Sequence, residues 1–227
     1  KYNRRRKRSG HCRADPKIGE EKVGSKEYQL CMDLVKYDVK MEIQKRYDAL
    51  YGEDFWEQSY EGQYGYEILA DHTVEKIKYI HAVYDLAEEY GDVSDGSFAA
   101  IEKRWKQENA KRQKKVEDGE VIYGLKEYTF DLYMQYEISM YKEIYCNDTD
   151  RKGMDLTEEE VAEYYSQGEW VFQDDGEKAD LETARIAVER ELREKKYDAM
   201  IAQMTEDLEV SGDLEAVDRF TLDHLKR

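Results

Sequence analysis

The chain has 227 residues, 36 basic against 53 acidic side chains and a formal charge of −17. That is long enough to bury a core without disulfide or metal staples, and acidic enough to disfavour nucleic acid, whose phosphates demand a basic face. Charged residues make up 39% and Pro16 is the single proline, so long helices are unobstructed, while 20 tyrosines supply apolar area with a polar tip. An all-α protein is the expected class.

The charge is uneven. Lys1, Arg4, Arg5, Arg6, Lys7, Arg8 and Arg13 open the chain with no acid among them, and without these seven the remainder carries −24. Residues 1–16 are expected to be a solvated, disordered tail; a nucleic-acid patch and a segment lying beside a membrane are the alternatives. No apolar run of spanning length follows, nor the apolar stretch of a signal peptide, yet the chain starts at Lys1. The expectation is therefore a signal or membrane tether upstream of this chain. Three cysteines, Cys12, Cys31 and Cys146, show neither CxxC nor Cys/His zinc spacing. Cys31 and Cys146 read as small core residues in helices rather than as a bridge.

Ile18 to Gly24 reads as a short extended piece with a turn, and Ser25 as the cap of a first helix. From Tyr28 to Tyr51 apolar residues Leu34, Val35, Val39, Ile43, Tyr47 and Leu50 keep helical spacing, with Gly52 as the stop. Phe55, Trp56 and Tyr60 precede a break from Gly62 to Gly65, after which Ile68, Val74, Ile77, Ile80, Tyr84 and Leu86 describe a long helix ending near Gly91. A third, very polar helix spans Phe98 to about Val116 with Ile101 and Trp105, and is expected to be only partly packed. The fourth, Tyr128 to Tyr145, carries apolar residues all round. That pattern means either enclosure by neighbours or a partly exposed surface rich in Tyr and Met.

Thr157 with Glu160 has capping-box spacing, so a helix should start at Thr157. Asp180 is the next cap. Leu181, Ala184, Val188 and Leu192 follow at helical spacing, and Tyr197, Ile201, Met204 and Leu208 continue on a drifted face.

This returning pair of helices resembles the last part of the SurA/PrsA-type foldases, in which a helical chaperone domain is interrupted by a parvulin prolyl isomerase and resumes after it. Ile18-Gly19-Glu20-Glu21-Lys22-Val23 leading into Ser25-Lys26-Glu27-Tyr28 is similar to the family's opening strand and turn. Glu120 to Phe130 is similar to the connector before the last front-half helix in Gram-positive members. The resemblance implies an all-α, SurA N-terminal-like domain over residues 17–210, built from a front half, 17–150, and a returning segment, 155–210. A helical extension, 211–227, follows, and one short two-stranded pairing is compatible with the fold. It further implies an ATP-independent chaperone acting on unfolded or extended secreted polypeptides outside the cytoplasm, secreted or anchored at the cell surface. Its terminal helices could swap in a homodimer. Only about fifteen residues separate Tyr165 from Leu181, and no histidine lies between His81 and His224, so a parvulin site is not expected.

Other chemistry finds no support. His72 and His81 are nine apart and cannot form the i, i+4 metal pair, His11 and His224 lie near the ends, and Walker, GxGxxG and GxSxG motifs are missing. Acidic pairs such as Asp174-Asp175 and Glu88-Glu89 are too numerous to single out. No cofactor, metal, catalytic residue or nucleic-acid partner is expected. Two function classes remain: a holdase for many unfolded clients, and a helical interaction or scaffold protein with one dedicated partner, a prolyl isomerase with an unfamiliar site being the weaker third. A client-binding surface is expected at Tyr133, Tyr136, Met140 and Tyr141, with Tyr64 and Tyr66 as loop contributors.

Overall fold

A computed structural model describes residues 16–171 and 176–226. The expected basic tail, apart from Pro16, together with Cys12, His11 and the Asp174-Asp175 pair, lies outside the described residues. Seven α-helices account for most of the rest, with a few two-residue strands, as expected for an all-α chain.

The chain forms two compact units. One comprises the residues up to Ile80 together with those from Glu206 onward, and the other runs from His81 to Thr205. In the first unit, β1 (Lys17–Ile18) pairs antiparallel with β2 (Glu21–Lys22), and the turn between them needs Gly19 at φ 58°. The Gly19 amide also donates to the Glu209 carbonyl, and β5 (Val210–Ser211) adds to the other side of β1, giving the order β2-β1-β5. The expected two-stranded pairing is thus three-stranded, because the chain returns after the long C-terminal helix. β3 (Ser59–Tyr60) and β4 (Gln63–Tyr64) form a separate hairpin.

Helix α1 (Ser25–Tyr47) begins one residue earlier than a Ser25 cap would place it, with Gly24 at the cap and no side-chain cap bond. It ends at Asp48, whose φ of 51° is left-handed, so the stop falls before Gly52. Asp tolerates that conformation better than most side chains. The early stop moves Leu50 out of the core and into solvent. The buried face of α1 is Tyr28, Cys31, Met32, Val39 and Ile43. Helix α7 (Leu214–Leu225) packs into the same core through Phe220, edge-on to Tyr28 at 5.6 Å. The Tyr28 hydroxyl lies 2.6 Å from Thr221 Oγ1, and since Thr221 donates to the Val217 carbonyl, Tyr28 is the donor of the pair. Each such buried ring contributes roughly 1.5–3 kcal/mol.

Asp218 sits on α7 among Glu67, Asp71 and Glu215, with Arg219 as the nearby cation. Burial first, and then these acids, push its carboxyl up to about 6. The folded state therefore holds this proton more tightly than the unfolded chain, whose Asp titrates near ~3.9. Its contribution to stability rises as pH falls through about 6 and is unfavourable above it. Asp218→Asn should accordingly raise the melting temperature at neutral pH, and the gain should shrink as the pH of the melt is lowered below 6. A gain independent of pH would show that the cost of holding this carboxylate charged is not its source.

The second unit contains the end of α2 (Gly65–Glu89), then α3 (Phe98–Glu117), α4 (Phe130–Asn147), α5 (Glu158–Gln167) and the greater part of α6 (Leu181–Asp207). The capping box on α5 is complete: Glu160 N–H donates to Thr157 Oγ1 at 3.2 Å and Thr157 N–H to Glu160 Oε2 at 2.9 Å. Asp180 Oδ1 accepts from Thr183 N–H at 2.8 Å at the start of α6. Val161 of α5 meets Ala184 and Val188 of α6 around Trp170. Cys146 of the second unit and Cys31 of the first are both buried free thiols, and burial raises both, Cys31 to about 12 and Cys146 to about 11. Such thiols carry little thiolate at neutral pH and behave as small apolar residues.

Candidate functional site

Within the second unit, α4 buries one face and exposes the other. Tyr133, Met134, Glu137, Tyr141, Tyr145 and Cys146 are buried, whereas Leu132, Tyr136 and Ile144 face water. Its apolar residues therefore surround a charge. The carboxylate of Glu137, 2% exposed, accepts from the Tyr84 hydroxyl at 2.8 Å and the Tyr133 hydroxyl at 2.8 Å. Arg104 of α3 completes it as a fork, Nε to Oε1 at 2.7 Å and Nη2 to Oε2 at 2.9 Å. Burial foremost, and then Glu137, raise the hydroxyls of Tyr84 and Tyr133 far above the ordinary phenol range, so both stay protonated donors.

A second cation of this unit is itself buried. Arg151 makes a fork to Asp92, at 2.6 and 2.7 Å, and a further bond to Asp148 at 3.1 Å. The guanidinium lies over the rings of Tyr90 and Tyr145, 5.1 and 5.2 Å from their centroids.

The Glu137 cluster fixes α3 against α4, and α3 in turn fixes the connector between them. Trp105 Nε1 and Asn109 Nδ2 both donate to the Tyr128 carbonyl, at 2.7 and 2.8 Å, and Asn109 Oδ1 accepts from Tyr128 N–H at 2.9 Å. Arg112 donates to the Leu125 carbonyl at 2.6 Å and stacks on the Tyr128 ring at 4.6 Å. Held at Leu125 and Tyr128, the rest of the connector stands proud: Val121 is 75%, Tyr123 88% and Leu125 47% exposed. Two clefts flank it. One, of about 470 Å³, includes Trp105, Asn109, Val116 and Lys126; the other, of about 240 Å³, includes Lys111, Arg112, Lys115, Val121 and Tyr123.

The six residues expected to form a client surface do not share one environment. Tyr133 and Tyr141 are buried, Tyr133 bonded to Glu137 and Tyr141 edge-on to Tyr84 at 5.6 Å. Met140 is half-buried, and Tyr136 is exposed, stacked on Tyr128 at 5.7 Å beside the connector. Tyr64 and Tyr66 belong to the other unit, where they stack on each other at 5.5 Å with Tyr64 exposed. Sequence reasoning passed over Arg104, Glu137, Arg151 and the exposed connector. The signals were there: a single Glu between Tyr133 and Tyr141 on an i, i+4 stripe, and an apolar Val-Ile-Tyr run lying between Gly119 and Gly124 with no helical period.

A further cleft of about 390 Å³ includes Tyr164, Glu169, Trp170, Glu191 and Lys195. Its tryptophan is buried in the α5–α6 cluster and donates to the Tyr165 carbonyl, which marks it as packing. Among the described residues no group of three His, Cys, Asp or Glu side chains is placed to hold a metal ion, and no described helix is long and apolar enough to cross a membrane. What the exposed region offers is apolar and cationic contact.

No family model matches the chain, and no solved structure matches it. It is similar to a protein of Bifidobacterium longum subsp. longum described as a chaperone for lacto-N-biosidase, with 28% identity over 210 residues, covering 92% of this chain and 75% of the relative. That likeness supports a chaperone role.

Proposed function

We propose that this chain is a non-catalytic chaperone dedicated to one client enzyme, a glycosidase of the lacto-N-biosidase kind. The observation that carries the proposal is the relative, similar along 92% of this chain and named for a single client rather than for unfolded proteins at large. The geometry of the second unit agrees with a selective partner. Two of its most exposed apolar residues, Val121 and Tyr123, sit on a connector pinned by Trp105, Asn109 and Arg112, and its clefts are small, whereas a promiscuous surface is usually wide and adaptable. A preorganised surface also loses less entropy on binding.

The narrower SurA/PrsA relationship has no support beyond the sequence motifs, and a chaperone with one client does not require it. The proposal keeps the setting outside the cytoplasm, with fractionation of the producing cells as its check. The deciding experiment is light scattering of a chemically unfolded lacto-N-biosidase and of several unrelated proteins, each diluted into rising amounts of this chain, with an acidic helical protein as control. Suppression confined to the glycosidase is the expected result. Equal suppression of all clients would replace the dedicated reading by a general holdase, and no suppression at excess would remove both.

A further inference from the structure

The third helix departs from most of the molecule in charge, although the connector after it carries Asp118, Glu120 and Glu127 against Lys126. Helix α3 carries seven basic side chains against three acidic ones, in a chain whose total is −17. Three of the basic groups are committed, Arg104 to Glu137, Lys106 to Glu102, and Arg112 to Glu108 and the Leu125 carbonyl. Lys111, Lys114 and Lys115 are different. All three are exposed and none forms an ion pair with a described residue. They lie on the C-terminal half of α3, and Lys111 and Lys115, one helical turn apart, share a cleft of about 240 Å³ with Val121, Ile122 and Tyr123.

The connector supplies the apolar half of the surface. Val121 and Tyr123 are among the most exposed large apolar side chains in the described structure. The main chain of Val121, Ile122, Tyr123 and Gly124 makes no backbone hydrogen bond to a described residue. A non-helical stretch with open main-chain donors and acceptors, and side chains on either side, can pair with another extended segment. It is held in place for that purpose by Arg112 at Leu125 and by the Asn109–Tyr128 bonds.

We propose that residues 121–125, with Lys111, Lys114 and Lys115, form the docking site for an extended segment of the client that carries carboxylates next to an apolar or aromatic side chain. Charge complementarity selects the occupant. An acidic segment meets these lysines and is repelled by most of the other described surface, which fixes its register. An anionic bilayer is the poorer match, because it presents negative charge across a whole face of an acidic chain, whereas one extended segment need meet only the lysines. The inference rests on the chaperone reading for the source of the segment, but not for its chemistry.

The test uses the whole chain and a fluorescent synthetic peptide in which Glu and Asp alternate with Leu and Phe. A second peptide with Lys in place of every acid serves as control. Wild type should bind the acidic peptide about tenfold or more tightly than the basic one, and less tightly as salt is raised from ~0.1 M to ~1 M. Two variants, Lys111→Glu/Lys114→Glu/Lys115→Glu and Val121→Ser/Tyr123→Ser, should each weaken binding about tenfold while keeping the wild-type helical signal. All five positions are solvent-exposed, so both variants should fold. Unchanged binding by both variants would overturn the site. Binding to phosphatidylglycerol vesicles in place of the peptide would assign it to a membrane, and a shift from dimer to monomer with no change in peptide affinity would assign it to a second copy. The client assay separates the two proposals. Variants that lose the peptide while wild type fails to protect the glycosidase would uphold the site and reject the dedicated-chaperone reading; variants that protect the glycosidase as wild type does would reject the site alone.

Discussion

Truncating Glu137 to alanine is expected to destabilise the chain by about 3–5 kcal/mol, the cost of leaving a buried charge and its hydrogen-bond partners without their counterpart. Three donors converge on this carboxylate, the Tyr84 and Tyr133 hydroxyls and the Arg104 fork. Arg104 keeps the Asp95 carbonyl, whereas the two buried hydroxyls have Glu137 as their acceptor. Glu137→Gln keeps the shape and one acceptor, so roughly half of that loss should remain. Removing both charges, as Glu137→Leu with Arg104→Met, should cost less than the sum of the single changes, because neither partner is then stranded. Urea unfolding followed by circular dichroism measures wild type, Glu137→Ala, Glu137→Gln, the single changes Glu137→Leu and Arg104→Met, and their combination. If Glu137→Ala falls within about 1 kcal/mol of wild type, the cluster is not what holds α3 to α4.

Arg151→Ala should be the next most costly change, by about 3 kcal/mol or more. It removes the fork to Asp92, the bond to Asp148 and the packing of the guanidinium between Tyr90 and Tyr145. Arg151→Lys tests which part matters. It retains the charge but neither the planar fork nor the stacking, so it should recover less than half of the loss. Full recovery by lysine would show that charge alone suffices and that the two-ring arrangement contributes nothing measurable. Neither substitution touches the connector, so peptide binding by the folded fraction should persist.

Helices whose ends carry local chemistry were legible in the sequence. The Thr157–Glu160 box and the Asp180 cap depend only on residues within one turn, and both form as expected. The first helix was harder, since the Gly52 stop competes with an Asp48 stop that no spacing rule reveals. That ambiguity placed Leu50 in the core, and the structure exposes it. Charged residues were the least legible. In a chain with 39% charged side chains, Arg104, Glu137 and Arg151 look like members of solvated faces, and only long-range packing shows Glu137 and Arg151 as buried and Arg104 as the partner of Glu137.

The candidate site divides along the same line. The tyrosines of α4 are plain in the sequence, but whether a ring meets Glu137 or water depends on which face of α4 meets Arg104 and Tyr84, and that is a tertiary fact. Tyr133 is on the inner face and Tyr136 on the outer. The connector escaped notice as a surface because its apolar run has neither the period of a helix nor the alternation of a long strand. Its position follows from four bonds made by α3 side chains.

The most direct test of a dedicated chaperone is the yield of active client. The proposed glycosidase is refolded from denaturant with this chain, with its connector variant Val121→Ser/Tyr123→Ser, or with an inert acidic helical protein, and its recovered activity is measured against that of an unrelated enzyme treated identically. Wild-type chain should raise the glycosidase yield severalfold and leave the unrelated enzyme unchanged. Equal yields of the glycosidase with and without the chain would contradict the proposed function.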